Sequence, residues 1–225
     1  PFNARHVLEI DPETQQVNTL GDPMEGRCCY DADGVLSLDG KIYFAPHNAT
    51  HVLCVDPGRR SVRLVGTAMG NSGVGLFRGS GVRARNGRIF FAPCDFHSVL
   101  CIHAEGDTQL FALARPPRSL EYLSGGVLAK NGHIFFPPEN GYPILHVDPV
   151  APLVRFLDYD PVFGEGAGWG LQLGPGVLGS DDCIYFAPVL GQQVLRLDPS
   201  DCGKEWLGPQ LHLVEQMYRA AGVLA

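Results

Sequence analysis

The side chains best suited to chemistry in this sequence stand in four short polar stretches, each of which follows an apolar run that ends in proline. In order, these candidates are His47, Asn48, Asp95, His97, Glu139, Asn140, Tyr142 and Gln192. Imidazole and carboxylate groups are the usual general acids and bases of enzymes, and carboxylate and amide oxygens are the ligands that Ca²⁺ prefers. The residue types therefore indicate two kinds of site, one for acid–base catalysis and one for calcium.

The spacing of these residues favours solvated turn residues over either kind of site. The two histidines, His47 and His97, do not occupy the same place in their stretches, and no Gly-x-Ser-x-Gly nucleophile motif stands near them or near Asp95. Asp95, Glu139 and Asn140 could approximate a calcium site, but they occupy unequal positions within their stretches. We therefore predict no catalytic residue, no metal site and no cofactor, with calcium as the alternative, and keep the whole set as a candidate face for a ligand or partner.

Trp169 is a further candidate for a contact with a partner. It stands in a glycine-rich segment, residues 164–170, which lacks the Gly-x-Gly-x-x-Gly spacing of a dinucleotide-binding motif. Tryptophan often anchors protein interfaces, so we include Trp169 in the candidate face. The alternative is that its ring fills the gap between two neighbouring elements of the fold.

The elements that must position these residues form an internal repeat. The dipeptide Gly-Val recurs at positions 34, 81, 126, 176 and 222, at spacings of 47, 45, 50 and 46 residues. Each of the first four copies continues into an apolar run such as Ile-Tyr-Phe-Ala-Pro and then a second run such as Val-Leu-x-Val-Asp-Pro. A period of this length is typical of repeat architectures.

One repeat contains four short runs with the composition of β-strands. In the first full copy these strands, named A to D in chain order, are predicted at residues 35–38, 41–45, 51–55 and 61–65. Four antiparallel strands at a period near 45 residues indicate a propeller blade. The continuous hydrophobicity of strand B fits a sheet that is buried between two neighbours.

The turns of the repeat also have recurring chemistry. Asp39-Gly40, and its equivalents at 86–87 and 131–132, predict a two-residue hairpin between strands A and B, because glycine tolerates a positive φ. Asp181-Asp182 lacks the glycine, so a different or strained turn is expected there. Asp-Pro after strand C predicts a turn in which the carboxylate accepts a backbone N–H.

Two residue types at fixed places in the repeat predict how the blades pack. The glycines that open strand A are expected at the crowded axis, where a Cβ would cost room; they are Gly34, Gly81, Gly126 and Gly176. The last aromatic residues of strand B are expected to be buried equivalents between blades; they are Phe44, Phe91, Phe136 and Phe186.

The repeat pattern as a whole resembles the kelch, NHL and YVTN-type β-propellers. The residues that carry the resemblance are Gly-Val, the Asp/Asn-Gly turn, Ile-Tyr/Phe-Phe-x-Pro and Val-Leu-x-Val-Asp-Pro, and residues 10–17 look most like the YVTN unit of strand C, turn and strand D. The resemblance covers almost the whole chain. It implies an all-β propeller fold and, by itself, no particular activity.

Counting the repeats gives a prediction for the domain and the ring. We expect a single domain over residues 1–225, with a half blade at 5–21, full blades at 34–66, 81–114, 126–157 and 176–208, and a short helix with the start of a further blade at 209–225. A five-bladed ring is the first expectation, with six or seven blades as the alternative. Since five strand C–strand D units accompany only four B strands, we also predict that this chain forms an incomplete ring.

Composition restricts the classes of partner. A formal net charge of −7 opposes a phosphate backbone as partner, because nucleic-acid binding needs a basic surface. No run of 18 apolar residues exists, so no membrane-spanning segment is predicted. The seven cysteines have no Cys-x-x-Cys spacing and are expected to be buried free thiols. Asn48-Ala49-Thr50 is a glycosylation sequon, which does not decide the compartment.

Function is predicted from the face that carries the B–C turns and the variable connections between strand D and the next strand A. Our first interpretation is a non-catalytic scaffold that binds protein partners on this face, with a larger assembly as one possible setting. The alternative is a propeller hydrolase or lyase that acts on a sugar or lactone, with a calcium site on the axis as in propeller enzymes of the lactonase class. A third interpretation is carbohydrate binding through Trp169 and the tyrosines.

Overall fold

The computed structural model describes residues 1–70, 75–113, 122–137, 143–151, 153–157, 172–190 and 193–207. The predicted short helix and the start of a further blade, at residues 209–225, lie outside the described residues. Within the described residues the secondary structure is β throughout, and no helix there is long and apolar enough to cross a membrane.

The described strands group into one two-stranded sheet and four four-stranded sheets, all antiparallel. The two-stranded sheet and the first four-stranded sheet contain β1 (Val7–Asp11), β2 (Gln16–Leu20), β3 (Val35–Leu36), β4 (Ile42–Phe44), β5 (Val52–Asp56) and β6 (Ser61–Val65). The second sheet contains β7 (Val82–Arg83), β8 (Ile89–Phe91), β9 (Ser98–Ile102) and β10 (Thr108–Ala112). The third contains β11 (Val127–Leu128), β12 (Ile134–Phe136), β13 (Leu145–Asp148) and β14 (Leu153–Phe156), and the fourth β15 (Gln172–Leu178), β16 (Ile184–Leu190), β17 (Val194–Asp198) and β18 (Gly203–Leu207).

Each four-stranded sheet is a blade whose strands follow one another in chain order, so the predicted A–B–C–D meander is confirmed. The A strands of successive blades contact each other, as β3 with β7, β7 with β11 and β11 with β15. Strand A therefore lies on the inside of the arc. Blade 1 denotes the sheet β3–β6, and blades 2 to 4 follow in order.

The core lies between the blades instead of inside one layer. Each of four hydrophobic clusters joins residues of neighbouring sheets, and Tyr43, Phe90 and Phe135 on strand B are fully buried in them. The fourth cluster joins the two-stranded sheet to blade 1 through Val7 and Leu20. Burial of both sheet faces explains the nearly continuous apolar runs of strand B.

The glycines at the start of strand A make room mainly for a side chain of their own blade. Because Val35 pairs with Tyr43, Gly34 lies opposite Phe44 across the A–B hairpin. A Cβ on Gly34 would come within 2.6 Å of the Phe44 ring. The equivalent distances are 2.5 Å for Gly81 and Phe91, 2.6 Å for Gly126 and Phe136, and 2.5 Å for Gly176 and Phe186. The missing Cβ thus makes room for a ring of the same blade at all four positions. Crowding by a neighbouring blade, the predicted reason, adds to this at Gly176, where a Cβ would also come within 2.8 Å of Val127 Cγ2.

The strand B phenylalanines are equivalent in position but not in burial. Phe91, Phe136 and Phe186 are fully buried, whereas Phe44 is half-buried. Phe44 packs against the cluster that joins blade 1 to the two-stranded sheet. A two-stranded neighbour has no A and B strands, so it covers less of the ring than a complete blade does.

The A–B hairpin has three loop residues, not the predicted two. In blade 1 the Ser37 N–H donates to the Lys41 carbonyl at 2.8 Å, and the Gly40 N–H donates to the Ser37 carbonyl at 3.3 Å. Gly40 has a φ of 81°, which places it in the left-handed region at the end of the loop. Blade 4 makes the same turn with Asp182 at a φ of 66°, so the expected change of turn does not occur and the strain falls on one residue.

The strand C–strand D turns form as predicted. Asp11 Oδ1 accepts the N–H groups of Glu13 and Thr14 at 2.9 and 3.2 Å, and Asp56, Asp148 and Asp198 accept backbone N–H groups in the equivalent turns. A hydrogen bond from the Thr14 side chain, and then the two backbone hydrogen bonds, hold the pKa of Asp11 below its usual value. All seven cysteines are free; five are buried, and Cys28 and Cys202 are half-buried.

Candidate functional site

Two of the predicted site residues lie in the turn between strands B and C of blade 1, and both side chains are held by the fold. His47 is half-buried, its Nδ1 lies 3.1 Å from the Cys28 carbonyl, and a Cβ on Gly75 would collide with its ring. Asn48 is also half-buried, and its Nδ2 donates to the Arg27 carbonyl at 3.5 Å. The amide nitrogen that a glycan would need therefore faces the chain itself.

Asp95 and His97 occupy the equivalent turn of blade 2, where both side chains are exposed. Their contacts in the turn are made by the backbone, since the Asp95 N–H donates to the Gly75 carbonyl and the His97 carbonyl accepts the Leu113 N–H. No described hydrogen bond or ion pair joins the side chains of His47, Asn48, Asp95 and His97 to one another. The acid–base chemistry that their residue types would allow thus has no described contact between them to support it.

The other five predicted site residues lie outside the described residues. They are Glu139, Asn140, Tyr142, Trp169 and Gln192. Their assignment to a binding face stays a prediction. Within the described part of the chain, no three His, Cys, Asp or Glu side chains are close enough to hold a metal ion.

The structure brings together a different set of polar side chains, at the inner ends of the connections that lead into strand A. Arg78 Nε donates to Asp31 Oδ2 at 3.0 Å, and Ser80 Oγ donates to Asp33 Oδ2 at 2.6 Å. Each pair joins positions that are 47 residues apart, which is one repeat. We call Asp31, Asp33, Arg78 and Ser80 the inner-rim cluster.

The packing of the connecting segments explains why this cluster forms. Asp33 and Ser80 stand directly before the glycines that open strand A, and the A strands of neighbouring blades contact each other. A Cβ on Gly79 would come within 2.5 Å of the Ser124 carbonyl oxygen, so the segments of blades 2 and 3 touch as well. Equivalent residues of successive blades are thereby placed side by side on the inside of the arc.

The inner-rim cluster is accessible and carries both signs of charge. Asp31 and Arg78 expose 31% and 45% of their side chains, Asp33 is exposed, and Ser80 is half-buried. A carboxylate beside a hydroxyl can accept its proton, and a guanidinium can bind a carboxylate or a developing oxyanion. Our sequence analysis placed the connections into strand A on the candidate face but named none of these four residues; the alternation Asp31-Ala32-Asp33 before Gly34 was the available signal.

A second polar arrangement lies between blades 3 and 4. Arg155 Nε donates to His146 Nδ1 at 2.8 Å, and His146 Nε2 lies 2.7 Å from His133 Nδ1. Because His146 Nδ1 accepts a hydrogen bond from Arg155, the neutral ring carries its proton on Nε2, which donates to His133. His146 is buried and stacks on Phe135, with ring centroids 4.9 Å apart.

The surroundings of His146 oppose a positive charge on its ring. Burial, and then the charges of Arg155 and His133, lower the pKa of His146 from 6.5 to about 4. The equivalent residue is Cys54 in blade 1 and Cys101 in blade 2, which supports a packing role for this position. We assign the histidine pair to the interface between the blades and not to a catalytic site.

Comparison with known proteins identifies similar structures but no similar sequence. The sequence matches no protein-family model and no curated protein. Among solved structures, the virginiamycin B lyase from Staphylococcus aureus is similar with a TM-score of 0.66 and 14% identity, over 91% of this chain and 63% of that one. The periplasmic gluconolactonase of Pseudomonas aeruginosa is similar with a TM-score of 0.58 and 15% identity, over 88% and 61%.

A third similar structure is the extracellular domain of a putative one-component system from B. thetaiotaomicron, with a TM-score of 0.61 and 11% identity, over 92% of this chain and 29% of that one. The chain thus spans less than two thirds of the length of each of these structures. At identities this low, the likeness shows the fold alone. Together with the four stacked meander sheets, it shows that this chain has a β-propeller fold.

Proposed function

We propose that this chain belongs to an enzymatic propeller, a lyase or hydrolase that acts on a small polar ring compound such as a lactone. The observation that carries the proposal is the inner-rim cluster, in which Asp31 meets Arg78 and Asp33 meets Ser80 across two blades. The substrate would bind at the inner ends of the blades, where the A strands converge. The four side chains stand on connections that pack against the neighbouring blade, and pre-positioned polar groups on a rigid scaffold are what catalysis needs.

The roles of the cluster residues follow from their chemistry. Asp33 accepts a hydrogen bond from Ser80 at 2.6 Å, so this carboxylate is placed to remove a proton from a hydroxyl or water in that position. Arg78 presents a fixed positive charge that would stabilise the oxyanion formed when a ring ester opens. Asp31 orients the guanidinium through the 3.0 Å hydrogen bond.

The similar structures support the proposal through the chemistry that their names state. One is named as a lyase and another as a gluconolactonase, which supports an enzymatic function for a chain of this fold. No residue is carried over from them, because the identities are 14 and 15%. The assignment of roles rests on the inner-rim cluster of this chain.

The test is an activity assay on the purified protein with two ring esters, glucono-δ-lactone and a streptogramin B. Asp33→Asn and Arg78→Gln are expected to lower kcat/KM by at least about 100-fold, the usual effect of losing one acid–base or charge-stabilising group. The matched control is Asp182→Asn. Like the inner-rim substitutions, it removes an exposed carboxylate or its charge pair, here with Lys130, but it lies in the A–B turn of blade 4 and outside the inner-rim cluster.

Activity that survives both inner-rim substitutions would contradict the proposed site. A protein that opens neither ring ester would contradict the proposed reaction and would favour our first sequence-based interpretation, a scaffold that binds protein partners. In that case the exposed Asp95 and His97 are the described B–C turn residues to test for partner binding.

A further inference from the structure

Ser80 carries the only hydroxyl group in the inner-rim cluster. Its side chain is half-buried, and its Oγ donates a hydrogen bond to Asp33 Oδ2 at 2.6 Å. A hydrogen bond from a hydroxyl to a carboxylate is charge-assisted and usually has a length of about 2.5–2.7 Å. The proton of the Ser80 hydroxyl is therefore directed at a group that can accept it.

The space beside the Ser80 hydroxyl is open on the side of blade 3. Blade 3 has Gly125 at this position of the repeat, directly before Gly126 as Ser80 stands directly before Gly81. A Cβ on Gly125 would lie 3.1 Å from Ser80 Cβ and 3.7 Å from Ser80 Oγ. Because glycine has no side chain, residue 125 leaves this side of the hydroxyl uncovered. Ser80 thus has a proton acceptor on the side of blade 1 and room for a reacting atom on the side of blade 3.

Arg78 places a positive charge on the same side of the connection as the hydroxyl. Arg78 and Ser80 bind Asp31 and Asp33, which stand two residues apart on one segment, so both side chains point towards that segment. The Arg78 side chain is 45% exposed, so a substrate can reach the guanidinium. A fixed cation stabilises the oxyanion that forms when a nucleophile adds to an ester carbonyl. The cluster therefore supplies a hydroxyl, a proton acceptor and an oxyanion partner together.

A second serine–carboxylate pair, in the A–B hairpin of blade 1, lacks this access. Ser37 Oγ contacts Asp39 and lies 2.9 Å from the Lys41 carbonyl, so the hydroxyl closes the turn. Ser37 is 4% exposed. Among the described residues, the Ser80 hydroxyl has no hydrogen-bond partner besides Asp33. The two pairs have the same chemistry and differ in access, which makes Ser37 a matched comparison.

Taking the proposed function as its basis, we propose that Ser80 is the nucleophile and forms an acyl-enzyme with the ring ester. Ser80 Oγ bonds to the ester carbonyl carbon while its proton passes to Asp33. The ring C–O bond then breaks, and the leaving alkoxide takes the proton from Asp33. In the second step Asp33 takes a proton from water, the water oxygen bonds to the carbonyl carbon, and Ser80 Oγ leaves with the proton. The reaction is then a hydrolysis and not an elimination.

The experiment treats the purified protein with a fluorophosphonate, which reacts with activated serine hydroxyls. A bond forms between Oγ and phosphorus, fluoride leaves, and the hydroxyl proton passes to Asp33. Intact-mass measurement and peptide mapping are expected to show one label per chain, on Ser80. Asp33→Asn should slow the labelling at least about 100-fold, the usual effect of losing a general base. Ser37→Ala, the matched control, should be labelled at the rate of the unmodified protein.

A label on a residue other than Ser80, or no label, would overturn the proposal. If Asp33→Asn fails to fold, the labelling rate of the unmodified protein decides by itself. N-acetylserinamide at the same probe concentration gives the rate of a serine hydroxyl without activation. A rate at Ser80 no higher than this reference would also overturn the proposal.

The same protein, assayed with glucono-δ-lactone and a streptogramin B, separates the nucleophile from the proposed function. Ring-ester hydrolysis without a label on Ser80 would overturn Ser80 as the nucleophile and would leave water as the attacking group. A label on Ser80 without hydrolysis of either ring ester would contradict the proposed reaction and support Ser80 as a nucleophile. Labelling and hydrolysis that are both lost in Ser80→Ala and both kept in Ser37→Ala are the expected result.

Discussion

At the scale of single residues, the contact that recurs in every blade is a glycine on strand A beneath a phenylalanine on strand B. Gly126 and Phe136 show it at full burial, since the ring is 0% exposed between blades 2 and 3. The ring occupies the space that a Cβ would need. The pair therefore explains why the repeat begins with glycine, in terms of packing within the blade.

We expect Gly126→Ala to lower the free energy of unfolding by about 1–3 kcal/mol, the usual cost of overpacking a core. Urea denaturation measures the change. Gly70→Ala is the control, because its Cβ would meet nothing within 4 Å. The double variant with Phe136→Leu should recover part of the loss. A cost no larger than that of the control would show that the ring can move aside.

The phenylalanines themselves should differ in their contribution. Phe136→Ala is expected to cost about 3–5 kcal/mol of unfolding free energy, since it empties a fully buried site. Phe44→Ala should cost less than about 3 kcal/mol, because Phe44 is half-buried against the two-stranded sheet. The same loss for both substitutions in urea denaturation would contradict this difference and would support our sequence-based expectation of equivalent phenylalanines.

At the scale of elements, the interface between blades 3 and 4 should make stability depend on pH. The titratable and charged groups that face His146 are Arg155, His133 and Asp148. Burial of the ring, and then the charges of Arg155 and His133, lower the pKa of His146 to about 4. The unfolded chain, with an ordinary histidine pKa near 6.5, binds more protons in this range. The contribution of neutral His146 to the free energy of unfolding is therefore fully present above about pH 6.5, and it is lost as the pH falls from there towards about 4.

Urea midpoints at pH 7.5, 5.5 and 4.5 test this dependence. His146→Cys recreates the residue that blade 1 has at this position, Cys54, and should flatten the curve between pH 6.5 and 4.5. His97→Gln, at an exposed histidine, should leave the curve unchanged. An equal slope in the unmodified protein and in His146→Cys would exclude His146 as the cause.

The A–B turn of blade 4 is an element with a local conflict. Asp182 adopts a φ of 66°, where blades 1 to 3 have glycine. Asp182→Gly should raise the free energy of unfolding by about 0.5–1 kcal/mol, because glycine takes this conformation without steric cost. Asp182→Asn is the control for the exposed ion pair with Lys130, which is expected to contribute under about 1 kcal/mol. A loss of stability in Asp182→Gly would show that the ion pair outweighs the strain.

At the scale of the whole molecule, equivalent positions of successive blades bind each other at intervals of about one repeat. Besides the inner-rim pairs, Arg83 donates to the Leu36 carbonyl at 2.7 Å and Ser124 donates to the Leu173 carbonyl at 2.9 Å. Each blade thus contacts its neighbours through residues that the repeat places at the same height. In such a structure, nearest-neighbour interfaces supply much of the stability.

The first and last described sheets, at the two ends of the arc, carry exposed apolar side chains. Leu8 and Ile10 on the two-stranded sheet are 59% and 68% exposed, and Val177 and Val189 on blade 4 are 65% and 57% exposed. Our prediction of an incomplete ring stays a prediction, and so does the blade number. The mass of the native chain tests it: a mass of 24.4 kDa for a protein that is monomeric in solution would contradict it.

The sequence by itself determined the strand order, the repeat and the places of the turns. These features depend on local chemistry: Gly-Val and Phe-x-Pro bracket the A–B hairpin, and Asp56-Pro57 ends strand C in the way that Asp11 and Asp198 do. The detail of the hairpin was wrong, because Asn-Gly and Asp-Gly also suit a three-residue loop with glycine in the left-handed region.

Only the tertiary structure decided which polar residues meet. Asp31 and Arg78 are one repeat apart in the chain, and their 3.0 Å contact depends on how neighbouring blades stack at the inner rim. The burial of His146 likewise does not follow from the sequence, since it depends on the blade that is packed against it. The local sequence pattern determines the fold of a single blade. The site depends on the angle and distance between blades, which no short stretch of sequence encodes.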